Sequence, residues 1–150
     1  MVKNCVFCKI IKGEIPCAKI WENKEFLAIL DINPNTKGAS LVLTKKHYPA
    51  NFFDLPEEIC KNFIGACKKV AKLLKKTLGV KKVGLIIEGM GVNHSHIKLY
   101  PIYGAEEWSG EPPAKTVFFE KYEGYLTSHL GPQADFEELK KLAEEIRKQI

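Results

Sequence analysis

From Asp54 to Gly79, apolar residues return every three or four positions: Ile59, Phe63, Ala66, Cys67, Val70, Leu73 and Leu74. That spacing puts them on one stripe of a long helix. Lysines fill the other face and crowd the C-terminal end, where the helix dipole favours cations. Asp54 with Glu57 three residues on has the pattern of an N-terminal capping box, and Gly79 is placed to end the helix. An apolar stripe of this length must be buried against a second layer.

The rest of the chain supplies strands for that layer. Residues 18–22 and 25–31 alternate as two strands, and Gly38–Thr44 reads as a third. Between the last two, Asp31 to Gly38 is dense in turn formers. Val83 to Ile87 and His94 to Tyr100 are two more strand candidates. The short Gly89–Asn93 link between them suits an antiparallel hairpin. Residues 104–134 are irregular, with glycines near Pro112 and Pro132. A final helix is expected near Asp135, with Glu138 at the capping-box position and Leu139, Leu142, Ala143 and Ile146 facing inward. These elements give an α+β class: an antiparallel sheet, a long helix and a C-terminal helix. At 150 residues and 45% apolar content, the chain fits one domain with a real core.

The N-terminus, MVKNCVFCK, has no signal-peptide core, and no apolar run reaches the ~18 residues a membrane span needs. A soluble, cytoplasmic protein is the expectation. The net charge of +5 comes from 22 lysines and one arginine. The lysines spread over the helices among glutamates, which suits a solvated surface. A single arginine is poor equipment for phosphate forks or base edges, so nucleic acid is not an expected partner. Five cysteines argue against a full disulfide framework. Cys60 and Cys67 fall on the helix stripe and read as core thiols. Cys5 and Cys8 form C-x-x-C, two of the four ligands a tetrahedral zinc would take, or a pair of packed thiols. His129 reads as a surface or packing residue. Trp108 and the Tyr122–Tyr125 patch read as packing residues or as the mouth of a site, with packing favoured.

Within GMGVNHSHIKLYP, residues 89–101, His94, His96 and Lys98 fall on one strand face, ~6.5 Å apart. Ser95, Ile97 and Leu99 fall on the other. Two imidazoles and an ammonium in a row suit an exposed sheet face, or one that meets an anion or a metal. A neutral imidazole is a usable nucleophile near pH 7. A carbonyl on one ring nitrogen would aim the other at phosphorus to form a phosphoramidate that water later opens. Backbone N–H groups of Gly89 and Gly91, with a lysine, could neutralise phosphate oxygens.

Several stretches, taken in order, resemble the histidine triad (HIT) family of dinucleoside polyphosphate hydrolases and nucleoside phosphoramidases. His94-Ser95-His96-Ile97-Lys98-Leu99-Tyr100-Pro101 is similar to its His-φ-His-φ-His-φ-φ signature. Cys5–Pro16 resembles its opening helix, Phe26–Pro34 its Asp-Ile-Asn-Pro turn, and Gly38–Tyr48 the strand ending in Lys-Lys-His. The resemblance covers residues 5–101, the core of a single HIT-like domain over 1–150, with 102–150 as a C-terminal extension. It implies His96 as the nucleophile and Asp31 as the ligand of the ribose hydroxyls. It places the base among Val6, Phe7, Ile10, Ile15 and Ile29, residues that core packing would explain as well. It implies a structural zinc on Cys5, Cys8, His47 and His94, no catalytic metal, and a homodimer.

Three positions depart from the pattern. Lys98 replaces the third histidine, Met90 follows Gly89 where Gln is usual, and Ala39 follows Gly38 where His is usual. Lys98 then reads as an electrostatic clamp on a phosphate oxygen or as a lysine reaching solvent. Asn93 and Ser95 are expected to point away from His96. The expected activity is hydrolysis or transfer at the α-phosphate of a nucleoside phosphoanhydride or phosphoramidate. The alternative is a zinc-stabilised nucleotide-binding protein with little or no turnover.

Overall fold

The computed structural model describes residues 4–104 and 133–149. Trp108, Tyr122–Tyr125 and His129 lie outside the described residues. A short helix α1 (Val6–Ile11) precedes strands β1 (Lys19–Glu22), β2 (Phe26–Leu30) and β3 (Ser40–Thr44). Helix α2 (Glu57–Leu78), strands β4 (Lys82–Ile86) and β5 (His96–Ile102), and helix α3 (Phe136–Arg147) follow. The five strands form one antiparallel sheet in the order β1-β2-β3-β5-β4. The α+β class with a long helix and a C-terminal helix is therefore the observed architecture. No helix among the described residues is long and apolar enough to cross a membrane.

The period-2 alternation of the strands sorts their side chains onto two covered faces. On one face Phe26, Ala28, Leu30, Val42, Ile97 and Leu99 pack under the α2 stripe of Phe63, Ala66, Cys67, Val70 and Leu74. The rings of Phe26 and Phe63 stack at 4.9 Å. Helix α3 closes the same core with Leu139, Leu142, Ala143 and Ile146. Burial pushes the Cys67 thiol up to about 12, so it is an inert core group. On the other face Leu27, Ile29, Leu41 and Leu43 meet Cys5, Phe7 and Cys8 from the α1 end. Strands β2 and β3 are buried on both faces.

Three local expectations are corrected. Asp54 does not cap α2. It lies in a 3-10 turn, Phe52–Asp54, and the cap position is Pro56. Proline forces the preceding Leu55 into extended backbone (ψ 151°), so the helix cannot begin before it. Its missing N–H costs nothing at a helix start. Glu57 and Glu58 instead sit in the first turn, where the dipole favours them. Second, β5 begins at His96, not His94. The N–H of Ser95 donates to Tyr48 O at 2.9 Å and that of His94 to Val92 O at 2.7 Å. Those groups are committed to the loop after β3 and to the 87–95 link. Third, β4 runs one residue earlier than Val83–Ile87. At the other ends the reading holds. Gly79 takes the left-handed conformation (φ 69°) that closes α2. The Asp135 side chain accepts from Glu138 N to cap α3.

Candidate functional site

Strand β5 lies inside the sheet, with His96 opposite Leu43 and Lys98 opposite Leu41. The pleat turns His96 and Lys98 to the α1 side. There a cavity of about 270 Å³ opens, lined by apolar side chains and few polar ones. Of the residues singled out from sequence, it brings together Val6, Phe7, Ile10, Ile29, Asp31, Gly91, His96 and Lys98. Ile15 and Gly89 are not in its lining. Ile15 is half-buried and falls beyond the end of α1. Gly89 has φ +66°, and a Cβ there would lie 2.9 Å from Ala50 O. Its lack of a side chain lets the 87–95 link pass against that backbone. His94, expected beside His96 on the cleft face, is fully buried and turned elsewhere.

His96 is 5% exposed. Its Nδ1 lies 2.7 Å from His94 O. A carbonyl can only accept, so Nδ1 carries the proton and Nε2 keeps its lone pair. The Phe7 ring braces the imidazole edge-on at 5.3 Å. Burial moves the His96 pKa below the ordinary histidine value. The His94 carbonyl opposes that shift and the Lys98 charge adds to it. The ring is thus a neutral base with a fixed tautomer. Asp31 Oδ1 accepts from Asn33 N at 2.9 Å, a turn that sets the carboxylate at the cavity rim. Lys98 is not a free ammonium: its Nζ pairs with Glu88 Oε1 at 2.6 Å, both side chains being about nine-tenths buried. Asn93 and Ser95 are engaged elsewhere through loop contacts rather than by strand alternation, since β5 begins only at His96. Asn93 Oδ1 accepts from Ala50 N, and Ser95 Oγ donates to Pro49 O.

The second constellation lies behind His96. One ligand atom each of Cys5, Cys8, His47 and His94 falls within 4.8 Å of the others. His94 Nε2 donates to Thr44 O at 2.7 Å, which leaves Nδ1 as the acceptor lone pair. That Nδ1 stands 3.3 Å from Cys5 Sγ, 3.6 Å from Cys8 Sγ and 3.2 Å from His47 Nδ1. Cys8 Sγ is 3.4 Å from His47 Nδ1. Tetrahedral zinc, with bonds of ~2.1 Å to N and ~2.3 Å to S, separates its ligands by roughly 3.3–3.8 Å. Without a cation, burial and the neighbouring Cys5 push the Cys8 thiol up. The donor set and its spacing fit a metal ion.

Sequence reasoning missed Leu41, Met90, Val92 and Asn33 in the cavity lining, and missed Glu88. Pairing β3 with β5 would have placed Leu41 beside Lys98. Met90 was noted only as a departure from the usual Gln, and Val92 sat in a link read for its glycines. Glu88 is the sole acidic residue between Val83 and Pro101, and that isolation was its signal.

The family model of the HIT domain matches residues 12–103, and the chain belongs to that family. The adenosine 5′-monophosphoramidase of Schizosaccharomyces pombe is 34% identical over 148 residues, 98% of each chain. A HIT-like protein of Bartonella henselae, described as involved in cell-cycle regulation, superposes with TM-score 0.75 at 25% identity. The match covers 100% of this chain and 99% of that one. A zinc-bound histidine triad family protein of Mycobacterium smegmatis shares the fold at TM-score 0.69 and 22% identity, over 97% and 91% of the two chains.

Proposed function

We propose that the chain is a nucleotide hydrolase or transferase acting at the α-phosphate of a nucleoside phosphoramidate or phosphoanhydride, with His96 as nucleophile. The observation that carries the reading is the 2.7 Å contact of His96 Nδ1 with His94 O. It fixes the ring so that Nε2 is the attacking atom in an apolar cavity shared with Asp31. Val6, Phe7, Ile10 and Ile29 form an apolar wall that would hold the base, and Asp31 in the same lining would bind the ribose hydroxyls. His96 Nε2 attacks the α-phosphorus; the P–N bond forms as the bond to the leaving group breaks. Water then attacks the same phosphorus, the P–N bond breaks back to the ring, and nucleoside monophosphate is released. Gly91 and Lys98 line the same cavity and would meet phosphate oxygens through a backbone N–H and the ammonium.

Cys5, Cys8, His47 and His94 would hold zinc, which supplies a structural cross-link between the α1 end and the loop after β3. No step is routed through it. A homodimer and a cytoplasmic location accompany this reading. The relative named an adenosine monophosphoramidase supports the reaction class.

One observation favours a second reading, a nucleotide-binding protein with little turnover: Lys98, in the third triad position, is engaged by Glu88. Incubation with adenosine phosphoramidates and dinucleoside polyphosphates, with chromatography of products, separates the two. The first reading expects AMP release that His96→Asn abolishes. Binding without release in the wild type supports the second.

A further inference from the structure

The cavity wall is apolar apart from Asp31, Asn33, His96 and Lys98 among the described residues. Lys98 is the sole permanent cation there, and a cation is what a phosphate needs most. Yet its Nζ is 2.6 Å from Glu88 Oε1, and the two side chains are only 12% and 10% exposed. A pair that close and that dry acts on a ligand as a dipole, not as a positive charge. Glu88 reaches it from just beyond β4, whose Ile86 is the register partner of Lys98 on β5. The hairpin itself therefore delivers the carboxylate to the lysine. His96 is neutral and Asp31 is an acid, so the described wall offers no uncompensated positive charge.

We propose that Glu88 is a specificity-determining residue of this site. By neutralising and positioning Lys98, it holds the phosphate subsite near zero charge and disfavours multiply charged phosphate chains relative to a single phosphoryl group. This rests on the nucleotide-site reading and deepens it. A free lysine here would attract every added phosphate charge, whereas the paired one discriminates little by charge and cannot repay the desolvation of a longer chain.

The test compares dissociation constants of adenosine, AMP and ATP, neutral to multiply charged, at one pH and ionic strength. It uses the full-length wild type, Glu88→Gln, Lys98→Gln and the double variant. Glutamine keeps the shape of glutamate and an acceptor for the ammonium but removes the charge. Glu88→Gln is expected to tighten ATP relative to adenosine at least tenfold (about 1.4 kcal/mol) and to make that gain salt-sensitive. Lys98→Gln leaves the acid uncompensated and should shift the same ratio at least tenfold the other way. The double variant, neutral again, should return within about threefold of wild type. Adenosine itself should bind all four proteins within about threefold, which damage to the fold would not allow. If Glu88→Gln fails to fold, the opposite shift in Lys98→Gln and its reversal in the double variant carry the test. Nucleotide affinities whose charge dependence is the same in every variant overturn the role of Glu88 alone. A wild type that binds none of the three overturns the nucleotide reading, and this inference with it.

Discussion

His94 and His96 are the same residue type two positions apart, and the fold uses them in opposite senses. His94 gives its Nε2 proton to Thr44 O and turns Nδ1 toward Cys5, Cys8 and His47. His96 gives its Nδ1 proton to His94 O and leaves Nε2 to the cavity. In each case one backbone carbonyl selects the tautomer. The carbonyl that aims His96 belongs to His94, so the cysteine–histidine cluster around His94 also bears on the orientation of the His96 ring. Phe7 touches both rings edge-on, at 5.7 Å and 5.3 Å, and ties the two halves of the site together.

The sharpest way to break this contrast is to exchange each ring for asparagine. His96→Asn should lower covalent nucleotide transfer by at least about a thousandfold, because the amide is no nucleophile. Metal content should be unchanged, and the AMP dissociation constant should move by less than about tenfold. His94→Asn should instead lose metal and lower Tm. Similar losses of metal from both variants would show that the two histidines are not functionally divided.

Removing the cluster's thiols sharpens the other half. Cys5→Ser with Cys8→Ser should abolish binding of about one zinc per chain, read by elemental analysis. Stability should fall by several kcal/mol, since structural zinc in small sites contributes on the order of 10 kcal/mol. Turnover per folded molecule should fall too, through the released His94 carbonyl. A double variant that keeps its metal and its Tm would remove the cluster from the account.

Smaller effects test the bridge and the scaffold. Phe7→Leu keeps apolar volume but loses two edge-on contacts worth ~0.5–1.5 kcal/mol each, and should weaken both metal retention and turnover. Asp135→Ala removes only the α3 cap. It should cost about 1 kcal/mol by denaturant titration and leave both histidine functions untouched.

Much of this was readable from residue order. The α2 stripe and the inward residues of α3 follow from periodicity, because each helix buries one defined face, while β2 and β3 show as short apolar runs buried on both faces. The start of α2 was not legible from the capping-box pattern, since Pro56 overrides it by forcing Leu55 extended. The start of β5 was misplaced because His94 and Ser95 spend their N–H groups on loop carbonyls, a tertiary choice with no local signature. The meeting of Cys5, Cys8, His47 and His94 was expected from family resemblance, not from spacing: three separate chain segments supply it. Ile15 was carried into the site by resemblance and Gly89 by its backbone N–H, and neither lines the cavity. Glu88 was overlooked as a partner of Lys98, although the expected β4–β5 hairpin and its isolation as an acid between Val83 and Pro101 pointed to it.

The central claim is that Nε2 of His96 is the atom that carries the nucleotide. Rapid-quench reaction of the wild type with an adenosine phosphoramidate, followed by digestion and mass spectrometry, locates the covalent species. Phosphorus–nitrogen coupling in ring-labelled protein then identifies the nitrogen. The account predicts an adenylyl group on His96 at Nε2, absent from His96→Asn. An adduct on any other residue, an adduct at Nδ1, or turnover by His96→Asn at the wild-type rate would contradict it.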